Sequence, residues 1–367
     1  MRDSMSGRIV FLAGVGATLD SFVAPLSVRV RQLGFETIGC CAGPFDRSAF
    51  SRSYEMPPFR RASPDSVWRA LRRIQTIVLT ERPVLIHLHS PPALVIGRLV
   101  GRRYGIPTIA NVHGTFLEPR TLRSAAFAVV EGSLARLATQ TIVQNADDAR
   151  FYARLIPANR LAVSPVGGIG VDPEKLSQAR YSPVRLAGEP SVVVLGRLTA
   201  EKNLDLVVQA FRMLRDHIPA MTITFVGSPA VGDRPWHVPE EPGLDWLPWV
   251  DNPYDIIAGA DLVVSASRRE GFGMNVAEAL LLGVPVVAVD NRGAREIMRT
   301  GVRGLSLVAA NPAALADAIR HALIRRSEFN NDDILPRWSR DNAIRFHTSL
   351  ITEVIERERR AEPTEHN

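Results

Sequence analysis

Short runs of β-branched and other apolar residues alternate with amphipathic stretches along the whole chain. In the first half the strand-like runs are Ile9–Ala13, Thr37–Cys40, Val84–Leu88, Thr108–Val112 and Thr141–Gln144. In the second half they are Ser191–Leu195, Thr222–Val226, Asp245–Trp249, Leu262–Ala266 and Val284–Val289. Helical patterns such as Phe22–Leu33 and Pro64–Leu79 lie between them. This order predicts an α/β fold with one doubly wound parallel sheet in each half.

The segment Ser164–Pro190 separates the two halves. It is rich in glycine and proline, a composition typical of a linker. A chain of 367 residues is long enough for two domains of ordinary size. We therefore expect a Rossmann-like domain over residues 1–175 and a second over 176–336. The remaining segment, 337–367, is expected to form one long charged helix, Trp338–Arg359, and a frayed tail.

Composition excludes several classes of protein. Hydrophobic residues make up 46% of the chain and charged residues 22%, which excludes disordered, collagen-like and coiled-coil proteins. The two cysteines, Cys40 and Cys41, are adjacent and form neither a disulfide framework nor a zinc cluster. Apolar runs fall short of the roughly 18 residues of a spanning helix. Ile9–Leu19 is better explained as a buried first strand and turn than as a signal peptide. We expect a cytoplasmic protein, with any membrane contact peripheral at the inner face of the cytoplasmic membrane.

Charge is unevenly distributed. Residues 1–180 hold 23 lysines and arginines against 13 acidic residues, whereas the rest of the chain holds 21 against 25. A basic first half favours an anionic partner such as a membrane surface or a phosphorylated substrate. All but two of the basic residues are arginines, a bias for which a GC-rich genome is the alternative explanation. The arginines are dispersed and are not interleaved with aromatic residues, so we expect no nucleic acid partner.

Gly14-Val15-Gly16 follows the first predicted strand and opens a helix. The backbone N–H groups of such a turn can hold a phosphate. Leu19 stands where a dinucleotide-binding fingerprint has its third glycine, so we do not expect NAD. Gly14 and Gly16 belong either to a loop that faces an acceptor or to a tight turn that requires small residues.

A second loop, Gly196–Asn203, follows the strand Ser191–Leu195 and precedes a helix predicted over Leu204–Arg215. Its first glycine permits a close backbone turn, and Arg197 and Lys202 are two cations that can grip a diphosphate without a metal ion. Lysine is otherwise used in this chain at one position alone. The spacing predicts a pyrophosphate clamp, the alternative being solvated loop cations.

The segment Glu270–Leu280 is the most informative. It follows a predicted strand, contains Gly271 and Gly273, and passes into a helix that we expect to begin near Asn275. The positive end of that helix favours an anion. Glu270 lies in the loop, whereas Glu278 lies one turn inside the helix, where it can accept hydrogen bonds from a vicinal diol such as ribose.

Histidines lie at or near the carboxyl ends of two predicted strands. His87 and His89 share one face of a strand, and His113 follows the strand Thr108–Val112, next to Gly114. A histidine in that position can donate a hydrogen bond to a substrate hydroxyl or phosphate. We expect functional roles for His89 and His113 and a structural role for His87.

Together these motifs resemble a known family. Gly196-Arg197 with Lys202-Asn203, the Glu270 and Glu278 pair, and Gly283-Val284-Pro285 are similar to the nucleotide-sugar domain of retaining GT-B glycosyltransferases of the family 4 type, or group 1, over residues 190–325. The first half, with His87-Leu88-His89-Ser90 and Val112-His113-Gly114-Thr115, is similar to the acceptor domain of the capsular and exopolysaccharide branch.

The resemblance implies two Rossmann-like domains that face a central cleft, with the C-terminal helix crossing back onto the first domain. It implies that Arg197 and Lys202 neutralise the departing diphosphate, that Glu278 binds the ribose, that Glu270 contacts the donor sugar, and that His113 lies between sugar and acceptor. The other expected donor-binding residues are Gly196, Gly271, Phe272, Gly273, Met274, Asn275, Val276, Trp249 and Val250. The expected acceptor-binding residues are Gly14, Gly16, His89, His113, Gly114 and Thr115. No metal ion or cofactor is expected besides the nucleotide sugar.

Two positions depart from the family pattern. Met274-Asn275 stands where leucine or isoleucine followed by proline is usual, which leaves the donor sugar open. Trp246 and Trp249 flank the expected nucleobase region, so the sequence does not determine whether the nucleotide is UDP or another carrier.

We therefore expect a retaining glycosyltransferase that moves a sugar from a nucleoside diphosphate, UDP first, to an acceptor hydroxyl on a lipid-linked sugar or polysaccharide. The residues that could form an apolar entry for a lipid carrier are Phe22, Pro25, Leu26, Phe116 and Leu117. The alternative is that these residues belong to the core. The alternatives are a natural-product or small-metabolite acceptor, a sugar-nucleotide epimerase or phosphorylase of the same fold, and an inactive nucleotide-sugar-binding subunit.

Overall fold

The chain divides into two units at Ile169 and again at Arg340. The first unit comprises Met1–Ile169 and Asp341–Asn367, and the second comprises Gly170–Arg340. The structure, a computed structural model, describes residues 6–59, 63–115, 122–229, 236–250, 252–325 and 328–361. The boundary predicted near residue 175 lies inside a helix, Pro173–Tyr181, which interrupts the glycine- and proline-rich segment.

The helices and strands alternate along most of the chain. The strands are β1 (Arg8–Leu12), β2 (Glu36–Cys41), β3 (Arg52–Glu55), β4 (Leu85–His89), β5 (Thr108–Val112), β6 (Gln140–Val143), β7 (Leu161–Val163), β8 (Ser191–Leu195), β9 (Thr222–Val226), β10 (Leu244–Leu247), β11 (Leu262–Ser265), β12 (Val286–Val289) and β13 (Leu305–Val308). The helices are α1 (Gly16–Thr18), α2 (Ala24–Gln32), α3 (Pro64–Glu81), α4 (Pro91–Tyr104), α5 (Leu122–Leu134), α6 (Ala146–Tyr152), α7 (Pro173–Tyr181), α8 (Leu204–Leu214), α9 (Tyr254–Ala258), α10 (Met274–Leu281), α11 (Arg292–Met298), α12 (Pro312–Ile324), α13 (Leu335–Trp338) and α14 (Arg340–Ala361).

The first unit is built on a parallel sheet in the order β3-β2-β1-β4-β5-β6-β7. Both faces of this sheet are covered, so its central strands are apolar at nearly every position rather than alternating. Val10 and Leu12 of β1 pack with α3 and α4 on one face. Ile9 and Phe11 pack with α2 on the other face, where α14 also contributes.

The second unit holds a smaller parallel sheet in the order β10-β9-β8-β11-β12-β13. Its core joins the central strands to α8 and α12, through residues such as Val194, Phe225, Phe211 and Ile319. The two parallel sheets confirm the predicted fold class of two Rossmann-like domains.

The C-terminal helix belongs to the first unit. Ile351, Val354 and Ile355 of α14 are buried with Ile9 and Phe11 of β1. The predicted return of the terminal helix to the first domain is thereby confirmed, although the helix begins at Arg340 and Trp338 lies in the separate short helix α13.

Some predicted element bounds were wrong. The strand predicted over Asp245–Trp249 ends at Leu247, because Pro248 follows and proline has no N–H to donate to a neighbouring strand. The helix predicted over Phe22–Leu33 starts as a π-helix, Leu19–Val23, before α2 begins. The edge strands β3, β7 and β13 were not predicted.

Candidate active site

The strand order of the second sheet reverses between β8 and β11. From β8 the chain moves outward through β9 and β10, then returns to β11 and continues through β12 and β13. The loops after β8 and β11 leave neighbouring strands in opposite directions and open a crevice, the place where open α/β sheets bind ligands. These loops are residues 196–203 and 266–273, and we call them the switch loops.

Polar contacts tie the two switch loops together. Lys202 Nζ lies 2.6 Å from Glu270 Oε1. The backbone N–H of Arg268 donates to the carbonyl of Glu201 at 2.9 Å, and its guanidinium donates to Oδ1 of Asn203 at 3.1 Å. The structure therefore brings the predicted Lys202 and Glu270 into direct contact. Sequence reasoning did not single out Arg268 or give Asn203 a role, because their contacts run between loops that are far apart in the chain.

The two cations of the predicted clamp have different surroundings. Gly196 turns the chain with a φ of +134°, and a Cβ at that position would lie 2.9 Å from Cε of Lys202. Lys202 is therefore held between this backbone turn and the Glu270 carboxylate. Arg197, at the same turn, is exposed. One cation is preorganised at the crevice, and the other is available to move toward a ligand.

Helix α10 starts at the end of the second switch loop. It begins at Met274, one residue before the predicted start, after Gly273 adopts a φ of +94°. The Asn275 amide donates to the carbonyl of Leu195, the last residue of β8, at 3.1 Å and so fixes this end of the helix above the sheet edge.

Two predicted donor-binding residues lie in the core. The side chains of Phe272 and Val276 are buried, and the Phe272 ring packs edge-on against Trp338 at 5.6 Å between centroids. Because these two side chains are buried, only the backbone of the two residues can meet a ligand. Gly271, Met274 and Asn275 remain partly exposed.

Glu278 lies one turn inside α10 and is paired with a residue that the sequence did not indicate. The Tyr254 hydroxyl, from α9, donates to Glu278 Oε1 at 3.3 Å. Burial raises the pKa of Glu278 to about 7, and the Tyr254 hydrogen bond and the Arg340 guanidinium partly offset that rise. Tyr254 and Arg340 thus favour the ionised form of the residue predicted to bind ribose, against the larger effect of burial.

The predicted nucleobase region lies between the loops that follow β9 and β10. The backbone N–H of Trp249 donates to Oγ of Ser228 at 3.0 Å, and the Trp246 indole donates to the carbonyl of Gly227 at 2.8 Å. Trp249 is 59% exposed, and Val250 is partly exposed. An exposed aromatic ring held by its backbone is suited to stacking on a base.

The first sheet has its own reversal, between β1 and β4. Here the backbone N–H of Gly14 donates to Oγ of Ser90 at 2.8 Å. Ser90 has a φ of +77°, an unusual conformation for a residue other than glycine and one that often marks functional sites. A Cβ at Gly16 would lie 1.8 Å from the carbonyl oxygen of Pro44, so packing alone requires glycine there.

Three histidines form a continuous row at this edge of the first sheet. His87 Nδ1 lies 2.6 Å from His89 Nε2, and His89 Nδ1 lies 3.1 Å from His113 Nε2. Burial holds the pKa values of His87 and His89 well below the ordinary imidazole value and lowers the pKa of His113 to about 4. We call His87, His89 and His113 the histidine row. His87, predicted to be structural, is as closely connected as the other two.

The remaining predicted acceptor residues differ in their surroundings. Thr115 is buried, and its hydroxyl donates to Oδ1 of Asp148 at 2.7 Å. Gly114 has a φ of +151°.

The candidates for a lipid lining also differ. Phe22 packs its ring against His113 at 5.1 Å between centroids, whereas Leu26 is core. Pro25 is partly buried, and Phe116 and Leu117 lie outside the described residues.

The described residues contain neither a cluster of metal ligands nor a membrane-spanning helix. No three histidine, cysteine, aspartate or glutamate side chains there are grouped so as to hold a metal ion. No helix in the same part of the chain combines the length and the apolar character needed to cross a membrane.

Two family models match the chain, one in each unit. "Glycosyl transferase 4-like domain" matches residues 13–167, and "Glycosyl transferases group 1" matches residues 189–325. The second match includes both switch loops and α10, and the first includes the histidine row.

Relatives and solved structures agree with these matches. EpsD of Bacillus subtilis (strain 168), itself assigned as a glycosyltransferase, is 25% identical over 367 residues, which cover 95% of each chain. The sulfoquinovosyl transferase SQD2 of Arabidopsis thaliana is 25% identical over 84% of this chain, but the match spans only 62% of SQD2. The crystal structure of Anabaena HepE in complex with UDP and glucose superposes with a TM-score of 0.64 at 19% identity, covering 98% of this chain and 100% of HepE. Family matches in both units, on a GT-B fold, show that this chain belongs to the group 1 glycosyltransferases and is a transferase.

Proposed function

We propose that this protein is a retaining glycosyltransferase that transfers a sugar from a UDP-sugar to an acceptor hydroxyl. The observation that carries the proposal is the meeting of Lys202, Glu270 and the start of α10 at the reversal of the second sheet. A cation, a carboxylate and a helix N-terminus at one crevice suit a ligand that has both phosphates and sugar hydroxyls.

The diphosphate is the proposed leaving group, and its developing charge is what the site stabilises. When it binds, Lys202 exchanges the Glu270 carboxylate for phosphate oxygens, and the exposed Arg197 adds a second cation. Glu270 is then released to accept hydrogen bonds from the donor sugar. In this mechanism rate enhancement comes from orientation and preorganised electrostatics, without a metal ion or cofactor.

Two observations support the proposed carrier: the first points to UDP, and the second fits any ribonucleoside diphosphate. A fold neighbour of this chain, HepE, was crystallised with UDP. In this chain Glu278 lies one turn beyond the switch loop, where an ionised carboxylate can accept hydrogen bonds from both ribose hydroxyls. The exposed Trp249 ring is the proposed stacking partner of the base.

A thermal-shift panel of UDP, GDP, ADP and TDP with their sugars tests the carrier. A ligand at one hundred times its dissociation constant stabilises a protein by about 2.7 kcal/mol. We expect the UDP series to raise the melting temperature and the Lys202→Ala and Glu278→Ala variants to lose most of that rise. A larger shift with another base would overturn the choice of UDP, and no shift with any nucleotide would overturn the donor site.

The reaction class is tested by incubating the donor with and without acceptor. A transferase leaves the sugar configuration of the donor intact when acceptor is absent, whereas an epimerase of the same fold changes it. A dependence on inorganic phosphate would indicate a phosphorylase instead. Activity that survives a chelator, and a product with the anomeric configuration of the donor, are the results expected for the proposed mechanism. Nucleotide binding without any turnover would favour an inactive binding subunit.

An exposed apolar stripe on α5 supports a lipid-linked acceptor and a peripheral membrane contact. Leu122, Val129 and Val130 are 91%, 70% and 52% exposed, and Ala125 and Ala126 on the same stripe are exposed too. The opposite face of α5 is anchored, because Glu131 pairs with the buried Arg98 at 2.8 Å. A stripe of this kind on a basic protein suits an anionic membrane surface.

Flotation with anionic liposomes at low salt tests this contact. We expect the protein to float and Val129→Glu to abolish flotation. Ile324→Glu, a change at another exposed apolar residue in the second unit, is the matched control and leaves flotation unchanged. If the unmodified protein fails to float, a water-soluble natural product or small metabolite becomes the preferred acceptor.

A further inference from the structure

The histidine row extends from the interior of the first unit to the edge of its sheet. The pleat of β4 places His87 and His89 on the same face, and His113 follows β5, the adjacent parallel strand, in the register that pairs His89 with Asn111. His87 and His89 are 0% and 1% exposed, whereas His113 is partly exposed. The row therefore has one closed end, at His87, and one open end, at His113.

Two further rings pack against the interior end of the row. The Phe11 ring lies 5.5 Å from the His87 ring, and the ring of His347, on α14, lies 5.8 Å away on an edge-on approach. Besides burial, the groups that lower the pKa values of His87 and His89 are other imidazoles: His347, His113 and, for His89, His87. With these low pKa values the three imidazoles are neutral at pH 7, and each carries one N–H.

Neutrality leaves two arrangements of protons in the row. Each of its two hydrogen bonds needs one N–H, and His89, in the middle, has one to give. If His89 carries its proton on Nδ1, it donates to His113, and His87 must donate to it from Nδ1. If His89 carries its proton on Nε2, it donates to His87, and His113 must donate to it from Nε2. The three tautomers therefore change together or not at all.

The closed end of the row selects between the two arrangements. His87 Nε2 is buried and has no hydrogen-bond partner among the described residues. In the second arrangement this atom carries a proton, and a buried N–H without an acceptor is among the rarest and costliest features of folded proteins. In the first arrangement it is a bare lone pair, which is better tolerated.

We infer that His87 and His89 are positioning residues that hold His113 in the tautomer with its proton on Nδ1, so that His113 donates a hydrogen bond to a substrate oxygen. The tautomer follows from the row alone. Its meaning for catalysis rests on the proposed function and on the role that the family resemblance implies for His113, which is to lie between the sugar and the acceptor. His87, which is fully buried, thereby acts on His113 through the ring of His89.

Nitrogen NMR of histidine-labelled protein measures the tautomers directly, because protonated and bare imidazole nitrogens have well separated ¹⁵N shifts. We expect all three residues of the row to carry the proton on Nδ1. An unrestrained neutral histidine side chain favours the proton on Nε2, so the expected signature is distinct from that of a free residue. A proton on Nε2 of His113 in the unmodified protein would overturn the inference.

Variants test whether the interior of the row controls its open end. We expect His89→Val and His87→Val to move the His113 proton from Nδ1 toward Nε2. His89→Asn retains an amide donor near the position of Nδ1 and should restore the Nδ1 tautomer. Thr141→Val is the matched control, since Thr141 is a buried polar residue of the same sheet outside the row, and it should leave all three tautomers unchanged.

Kinetics connect the tautomer to the reaction. Loss of one well-placed hydrogen bond in the transition state corresponds to about a tenfold lower kcat. We expect that loss in His89→Val and His87→Val with the KM for the nucleotide sugar nearly unchanged, and rescue in His89→Asn. Should His89→Val fail to fold, His87→Val and the spectrum of the unmodified protein still decide the question. If the tautomers behave as expected but no variant changes kcat, the control of the His113 tautomer by His87 and His89 is confirmed and the proposed role of His113 in the reaction fails. If both His87→Val and His89→Val leave the His113 tautomer unchanged, the inference itself fails.

Discussion

Lys202 and Glu270 form an ion pair across the two switch loops, with 2.6 Å between Nζ and Oε1. Each side chain is about one fifth exposed, at 22% and 21%. The carboxylate that is proposed to contact the donor sugar thus also occupies the cation that is proposed to bind the diphosphate. A phosphate group that binds Lys202 would have to displace Glu270, which would couple diphosphate binding to the release of the proposed sugar-binding group.

The clamp predicts that Lys202→Ala or Arg197→Ala lowers kcat by two or more orders of magnitude, roughly the effect of removing a preorganised group that stabilises developing charge. Steady-state turnover of a UDP-sugar measures the loss. Arg320→Ala, which removes an exposed arginine paired with Asp317 on α12, is the control and should retain full activity. Unmodified rates in both clamp variants would contradict the clamp.

The ion pair predicts that Glu270→Gln separates binding of the nucleotide from transfer of the sugar. The variant frees Lys202 from a competing carboxylate, so the affinity for UDP without sugar should rise a few-fold, roughly what a partly exposed ion pair contributes. Turnover should fall, because the amide is a weaker acceptor for sugar hydroxyls. Calorimetric titration with UDP and a rate assay give the two quantities. Weaker UDP binding in this variant would show that Glu270 does not compete for Lys202.

The raised pKa of Glu278 predicts a pH-dependent affinity for nucleotide. Because burial raises this pKa to about 7, from an ordinary value of 4.5, the carboxyl is half protonated near neutrality. An ionised Glu278 accepts ribose hydrogen bonds best, so the affinity should fall by up to about tenfold as the pH drops from 8 to 6.

The stability of the free protein changes with pH in the opposite direction from the affinity for nucleotide. A group whose pKa is raised in the folded state favours folding at low pH, and that contribution is lost as the pH rises from 4.5 to 7.

Glu278→Gln, whose side chain does not titrate, is the reference in the binding experiment. Any pH dependence of its affinity for UDP comes from the phosphate groups of UDP. Tyr254→Phe removes a hydrogen bond that lowers the pKa and should move the midpoint to higher pH. If the affinities of the unmodified protein and of Glu278→Gln for UDP changed in parallel with pH, the proposed role of Glu278 in binding ribose would be contradicted.

Two glycines within helices predict opposite effects of the same substitution. A Cβ at Gly97, in α4, would lie 2.1 Å from Cδ2 of Leu88, so Gly97→Ala should destabilise the first unit by about 1–3 kcal/mol through overpacking. At Gly132, in α5, the nearest atom would be at 3.6 Å, so Gly132→Ala should stabilise the helix by up to about 1 kcal/mol. Denaturant unfolding measures both, and equal effects would contradict the close packing of α4 on the sheet.

The sequence predicted the central strands and the two switch loops of the second unit well. The central strands are continuous β-branched runs because both faces of each sheet are covered, and that pattern is visible without coordinates. The edge strands β3, β7 and β13 were missed because none of them is a continuous β-branched run. In β3, Arg52–Glu55, no apolar pattern is present, and its order comes from backbone pairing with β2.

The contacts within the site were less accessible to sequence reasoning. The sequence predicted ligand-binding roles for Glu270 and Glu278, but the pairing of Glu278 with Tyr254 depends on how α9 and α10 pack. Likewise the contact between His89 and His113 was not visible in the sequence, because a strand pattern shows that His87 and His89 share a face and not which strand lies beside them. The positive φ of Ser90 has no sequence signal, since serine rarely adopts it.

The C-terminal helix has a consequence for biosynthesis. Ile351, Val354 and Ile355 complete the core around Ile9 and Phe11, and they are translated after the entire second unit. On the ribosome, synthesis of the first unit therefore begins first and ends last. The apolar face that α14 covers stays exposed while some 170 residues of the second unit are made. A nascent chain of this protein needs protection of that face, by a chaperone or by partial collapse, until its final helix emerges.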